Sequence, residues 1–274
     1  MTGLFYFGKR KTVAKNSMEI LLTNDDGIAA PGLAALYEEL AGAHALTVVA
    51  PDRERSAAGH AITLNDPLRM TAMPFNGGGP GYAVSGTPAD CVKLAVGELL
   101  PRPPDVVISG INPGANVGID ATYSGTVAAA REAAFLGIPA VAVSMVRPGS
   151  PYFAHAARFI TGLLAEIRSR GLPGGTFLNV NLPHCPLNET AGVRLRPQNI
   201  ETEQDAFERR TDPRKRDYYW HRGYAEGAPP FPAADGDRAA LARNHICVTP
   251  MKCDTTDYGF LAELNNWDVL KGKD

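Results

Sequence analysis

The sequence predicts an α/β fold, a Rossmann-like and mostly parallel sheet flanked by helices, with a C-terminal extended arm or β-hairpin used in oligomerisation. Three observations predict it. Short apolar runs recur at 20–22, 45–50, 105–110 and 140–144, the texture of strands buried on both faces of a parallel sheet. Segments with helical spacing separate them, so the order reads strand, helix, strand, a right-handed parallel unit. The texture then changes beyond about residue 185. Residues 205–238 are rich in Asp, Arg, Pro, Gly and aromatics, which is not βαβ material.

The elements follow in order. Ile20-Leu21-Leu22 is the first strand, and it ends at Asp25-Asp26-Gly27. Residues 31–40 form a helix with Leu33, Leu36, Tyr37 and Leu40 on one face. Residues 45–50 are the next strand, closed by Pro51, and 52–61 form a polar, charged loop. A glycine-rich turn at 77–81 leads to a short strand at 82–85. Thr87-Pro88-Ala89-Asp90 opens a helix running to 100, because Thr87 caps, Pro88 suits the first turn and Asp90 complements the dipole. Residues 105–110 form a strand and 126–136 a helix stopped by Gly137. A strand at 140–144, a helix at 152–169 and a strand at 177–182 complete the core. Residues 246–249 read as a strand returning to the body.

Three segments emerge: a disordered N-terminal extension at 1–17, a catalytic core at 18–184, and an oligomerisation arm with a return strand at 185–274. In the first, an apolar patch (Leu4-Phe5-Tyr6-Phe7) precedes the basic cluster Lys9-Arg10-Lys11, and it is too short for a secretory signal. Exposed aromatics in the arm (Tyr218-Tyr219-Trp220) suggest a subunit contact. A chain of 274 residues, 45% hydrophobic, suffices for one large domain with an appendage. A net charge of −2 argues against a nucleic-acid duplex or a membrane surface as partner. Cys91, Cys185, Cys247 and Cys253 lack CxxC spacing and read as free thiols in a reducing cytoplasm. No apolar run approaches the roughly 20 residues of a membrane helix.

Parallel topology brings several loops to one end of the sheet, where open α/β folds place ligands. The first loop carries Asn24, Asp25, Asp26 and Gly27; the second Ser56, Gly59 and His60; the third Asn112 and Asn116; the fourth Ser124, Gly125 and Thr126. Adjacent carboxylates repel, and a divalent cation removes that cost while taking hard oxygen ligands. A solvated Asp-Asp-Gly turn is the other reading. Ser124-Gly125-Thr126 before a helix is a natural phosphate site, since free amides and the dipole favour an anion there; an ordinary cap is the alternative. Asn112 and Asn116 are neutral oxygen donors to a cation or turn stabilisers. His60 is an acid, a base, a phosphate contact or none of these. The glycines at 110, 114 and 118 do not match a dinucleotide fingerprint.

These blocks carry a resemblance. Residues 20–27 (ILLTNDDG), 50–60 (APDRERSAAGH), 85–93 (SGTPADCVK), 109–112 (SGIN) and 123–128 (YSGTVA) occur in the order seen in the SurE family, the stationary-phase survival nucleotidases. The chain resembles that family over most of 18–145. The resemblance implies metal ligation by Asp25, Asp26, Ser56 and Asn112. It also implies that Asn116 and the Ser124-Gly125-Thr126 turn surround the phosphate. Pro113 departs from the basic or His residue usual at its position. The C-terminal third matches loosely, through Asp217-Tyr218-Tyr219-Trp220 and Val248-Thr249-Pro250, in a region that forms an extended arm in family dimers and tetramers.

The expectation is a metal-dependent phosphomonoesterase that hydrolyses nucleoside monophosphates, with 3′-nucleotidase and exopolyphosphatase activity left open. Asp25 and Asp26 are its catalytic pair. Asn24, Gly59, His60, Asn116, Ser124, Gly125 and Thr126 are its substrate and phosphate residues. One divalent ion per subunit, Mg²⁺ or Mn²⁺, is the expected cofactor, and a homodimer or homotetramer the expected assembly. The attacking group is either water or an aspartate. Two rivals stand: a haloacid-dehalogenase-type phosphatase, which requires Asp-x-Asp where this chain has Asn-Asp-Asp, and a Rossmann-like nucleotide sensor without hydrolysis.

Overall fold

The apolar runs read as strands form strands in the computed structural model, which describes residues 17–76, 79–146, 152–200, 205–224 and 235–270. The N-terminal extension expected at 1–17 lies outside the described residues apart from Ser17. The chain opens with β1 (Glu19–Thr23), α1 (Pro31–Leu40) and β2 (Ala45–Pro51). A hairpin follows, β3 (Met70–Phe75) and β4 (Gly79–Val84), then α2 (Pro88–Leu94), which runs into a π-helical turn at Ala95–Leu99. Next come β5 (Val106–Pro113), the short α3 (Asp120–Tyr123), α4 (Gly125–Phe135) and β6 (Ala140–Met145). The alternating part closes with α5 (Phe153–Arg170) and β7 (Thr176–Leu182). The C-terminal third adds β8 (Val193–Leu195), β9 (Asp205–Thr211), β10 (Asp217–Tyr224), α6 (Asp237–Ala242), β11 (Ile246–Lys252) and α7 (Tyr258–Leu264).

Nine strands form one sheet in the order β3-β4-β2-β1-β5-β6-β7-β11-β8. The run from β4 to β7 is parallel throughout. β3 is antiparallel to β4, and β11 is antiparallel to β7. The return strand at 246–249 is therefore part of the main sheet. β3, α3, α6, α7 and β8 went unread in the sequence because each is short or mostly exposed, so burial imposes no clear period.

Side-chain alternation explains the apolar strands. Ile20 and Leu22 of β1 enter the core beneath α1 and α5, whereas Leu21 enters the one beneath α2 and α4. Leu33, Leu36 and Leu40 of α1 are fully buried, each worth about 1.5–3 kcal/mol of transfer free energy. Nearly all of α4 from Gly125 to Ala134 is buried, and its small side chains let it lie close on the sheet. α2 begins as its sequence demands: the Thr87 hydroxyl accepts from the Asp90 amide at 3.2 Å, and the Thr87 amide donates to Asp90 Oδ2 at 2.9 Å.

The chain leaves β1 towards β2 on one side, then crosses through α2 to β5 on the other. The topological switch, and hence the crevice, lies between the carboxyl ends of β1 and β5. Apart from this body, β9 and β10 form a separate antiparallel hairpin. It exposes Phe207, Tyr218, Tyr219 and Trp220.

Candidate active site

At the end of β1 the backbone turns sharply. Asn24 Nδ2 donates to the Gly27 carbonyl at 2.9 Å, and the Gly27 amide donates to Asn24 Oδ1 at 3.2 Å. Asn24 thus shapes the turn that presents the two aspartates. Asp25 is 4% exposed, and its Oδ1 accepts a hydrogen bond from the Thr126 hydroxyl. Burial pushes its carboxyl up, hydrogen bonds from Thr126 and the local backbone pull it down, and the Glu54 charge adds a further rise. The net direction is upward.

Asp26 is half-buried, and its buried Oδ2 has no hydrogen-bond partner. Burial, then the charges of Asp25 and Glu54, push its carboxyl up to about 7. Neither aspartate has an ion pair among the described residues. Arg55 is next to them through its backbone amide, which donates to the Asp25 carbonyl at 2.7 Å. Its guanidinium turns away, donating to the Ser85 carbonyl at 2.6 Å and lying 3.7 Å from Asp52. Two repelling carboxylates and an orphaned oxygen thus have no cation partner among the described residues.

The other candidates make contacts of their own. Ser56 is exposed and donates to Glu54 Oε1 at 2.6 Å. The Gly59 amide donates to the Tyr123 carbonyl at 2.9 Å, tying the Ser56–His60 loop to the segment before α4. His60 Nε2 lies 2.8 Å from Glu132 Oε2, and Lys93 Nζ donates to Glu132 Oε1 at 3.1 Å. Those bonds, His60's foremost, hold the Glu132 carboxyl below its usual range. Asn112, on β5, donates to the Gly114 carbonyl at 2.7 Å, which satisfies its amide nitrogen and orients the side chain. Asn116 is 8% exposed and held on every side. Its amide nitrogen Nδ2 donates to Ser144 Oγ at 2.7 Å, its backbone amide to Asn181 Oδ1 at 2.8 Å, and its carbonyl accepts from Asn179 Nδ2 at 2.8 Å.

The α4 start is packed directly on Asp25. Ser124 Oγ accepts from the Val127 amide at 3.1 Å as an N-cap, and the Thr126 hydroxyl is given to Asp25. The Val127 amide is taken by Ser124 and the Thr126 amide by Asp25, so of the three helix-start amides this leaves the Gly125 amide for an anion. Gly125 is required by closeness: a Cβ there would lie 2.7 Å from Asp25 Cβ and 3.1 Å from Pro88 Cγ.

Several supporting residues were missed in the sequence. Glu54 charges the loop, Glu132 braces His60, and Asn179 and Asn181 brace Asn116. The alternating Asn179-x-Asn181 in an otherwise apolar strand was the available signal, since period two puts both amides on one face. Thr23 and Ser109 face each other across β1 and β5 with buried, unpartnered hydroxyls at the crevice. No group of three His, Cys, Asp or Glu suited to a metal occurs among the described residues. The oxygen donors present are the two adjacent carboxylates, and oxygen donors suit a hard cation.

A family model described as "Survival protein SurE" matches residues 20–205. Over 254 residues the chain is 56% identical to a 5'-nucleotidase SurE of Desulfatibacillum aliphaticivorans, covering 93% of this chain and 100% of that protein. It is 47% identical over 252 residues to a 5'-nucleotidase SurE of Syntrophobacter fumaroxidans, covering 92% and 100%. Among solved structures, the SurE protein of Aquifex aeolicus superposes with a TM-score of 0.78 at 34% identity, covering 90% of this chain and 98% of that one.

Proposed function

The chain belongs to the SurE family, and we propose on that premise that it is a 5'-nucleotidase: a metal-dependent phosphomonoesterase that hydrolyses nucleoside monophosphates to nucleoside and phosphate. The observation that carries the reading is the Asp25–Asp26 pair at the carboxyl end of β1. Asp25 is buried against the start of α4 and Asp26 half-buried, the pair has no cation partner among the described residues, and one oxygen is orphaned.

Asp25 and Asp26 would hold one divalent ion per subunit, Mg²⁺ or Mn²⁺, with Ser56 and Asn112 adding neutral oxygens. Such an ion neutralises phosphate charge and polarises a phosphoryl oxygen. The protein does the rest. Thr126 orients Asp25, and the Gly125 amide at the α4 start would be offered to an equatorial oxygen as charge develops. Asn116, held rigid by Ser144, Asn179 and Asn181, would meet the phosphate without reorganising. Asn24 and Gly59 shape the rim, and Glu132 orients His60 at its edge. The net reaction places a water oxygen on phosphorus and breaks the ester P–O bond, with the nucleoside oxygen gaining a proton.

On this reading residues 18–184 carry every site residue, and 185–274 supply the β9–β10 arm and the return strand. The exposed aromatics of the arm support a homodimer or homotetramer. The free thiols of all four cysteines suit the cytoplasm. No helix of the described residues is long and apolar enough to cross a membrane.

The test is an activity screen over 5'- and 3'-nucleoside monophosphates and polyphosphate, with several divalent cations and with EDTA. Metal-dependent phosphate release from nucleoside 5'-monophosphates is the expected result. Binding of nucleotide without release under all cations would replace the enzyme with a sensor. Trapping with radiolabelled substrate separates the two routes, since label on the protein marks aspartate attack.

A further inference from the structure

The segment that leads from Asn116 to the α4 start is held by side chains from the far end of the chain. Asp237, at the first position of α6, is fully buried, and its carboxylate takes three backbone donors. Oδ2 accepts from the Gly118 amide at 2.8 Å; Oδ1 accepts from the Asn199 amide at 3.0 Å and the Arg238 amide at 2.8 Å. The Gly118 carbonyl accepts from Gln198 Nε2 at 2.7 Å, so both backbone polar groups of this residue end on the C-terminal third. Arg238 Nη2 also donates to Asp120 Oδ2 at 3.0 Å. Gly118 fits because it has no Cβ. Its φ is +58°, and a Cβ would stand 2.5 Å from Arg238 Nε and 2.9 Å from the Asn199 carbonyl.

We propose that Asp237 is a positioning residue for the reaction, fixing the 116–120 segment and through it the phosphate side of the site. Gln198 and Arg238 complete the clamp. A buried carboxylate with both oxygens held by backbone N–H groups, three in all, is a rigid anchor. It binds together two things at once. Asn199 and Asp237 bracket the residues that carry the β9–β10 arm, so the base of the arm and the active-site loop share one carboxylate. Only the kinetic part of this inference rests on the nucleotidase reading.

The test compares full-length wild type with Asp237→Asn and Gln198→Leu. An amide at 237 that keeps its oxygen on the Asn199 and Arg238 donors turns its NH₂ towards the Gly118 N–H, so that bond is lost selectively. Amide hydrogen exchange of a peptide spanning 114–122 should accelerate about tenfold or more in both variants, with β1 and β6 peptides unchanged. The inhibition constant of inorganic phosphate, read with Mn²⁺, should rise about tenfold, within the range for loss of an orienting partner. A dead fraction of enzyme would lower apparent kcat and leave that constant alone. Should Asp237→Asn fail to fold, Gln198→Leu, at a half-buried position, carries the comparison. Wild-type exchange at 114–122 together with a wild-type phosphate constant in a folded variant would overturn the proposal. A wild type without turnover would defeat the nucleotidase reading instead, and the exchange result would still decide the role of Asp237.

Discussion

The Thr126 hydroxyl donates to Asp25 Oδ1 across 101 residues of sequence, joining the start of α4 to the end of β1. It is the most direct mechanical link in the site. A helix-start hydroxyl of the kind that often caps its own helix is used here to aim a carboxylate.

Thr126→Val keeps the shape and removes that donor. It removes one hydrogen bond to a buried carboxylate, which should cost about 1.5–3 kcal/mol of stability in the metal-free protein. Turnover should fall about 10–100-fold, as for other orienting partners. Chemical denaturation and steady-state kinetics check the two parts. Wild-type kcat would remove Thr126 from the mechanism.

Gly125→Ala tests closeness. Its Cβ must displace Asp25 or Pro88, since it would lie 2.7 Å and 3.1 Å from them. Overpacking of this kind costs typically about 1–3 kcal/mol, and the shifted carboxylate should lower metal affinity as well as rate. Mn²⁺ titration by electron paramagnetic resonance measures the affinity. An unchanged dissociation constant would mean that Asp25 does not hold the ion.

Asp25→Asn and Asp26→Asn should each reduce turnover on the order of 10³-fold, the equivalent of about 4 kcal/mol of transition-state stabilisation. Metal should also lose its hold on the fold. At about 100 Kd of Mn²⁺ the wild type should gain about 2.7 kcal/mol of stability, and either variant much less. Thermal melts with Mn²⁺ and with EDTA supply the comparison; equal metal-induced stabilisation in all three proteins would place the ion elsewhere.

Asp90 supplies a pH signature away from the site. Burial raises its carboxyl, but hydrogen bonds from Thr63 and Thr87 outweigh this and hold it below its ordinary value of 3.8. A depressed folded pKa adds stability above 3.8 that disappears as the pH falls through the folded value. Asp90→Asn should therefore cost about 1 kcal/mol at neutral pH, as expected for loss of a cap. The gap should close under acid conditions. A gap independent of pH would show that charge has no part in this cap.

Much of the architecture is legible in local pattern. Ile20-Leu21-Leu22 reads as a doubly buried strand because period two sends its side chains alternately to both helical layers, and both are apolar. Asp25-Asp26-Gly27 reads as a ligand site because a parallel sheet puts its strand ends together. Residues 205–238, with the aromatics around Tyr219, read as an arm because polar turn residues and exposed rings do not fit a buried crossover. The roles of individual site hydroxyls and amides are less legible. Ser124 caps α4 as its position suggests, yet Thr126, two residues on, serves Asp25. Asn116 is held rigid by Asn179 and Asn181, and His60 by Glu132.

The sequence by itself determined the buried core strands, the helices between them and the edge of the sheet at which chemistry is possible, because periodicity and turn chemistry act within a few residues. Only the tertiary structure decided which partner each polar group takes. Gly118 meets Asp237, and Asp25 meets Thr126, through contacts 119 and 101 residues apart in the chain. Such pairings depend on strand register and helix placement set by the packing of both cores, and no local pattern specifies them.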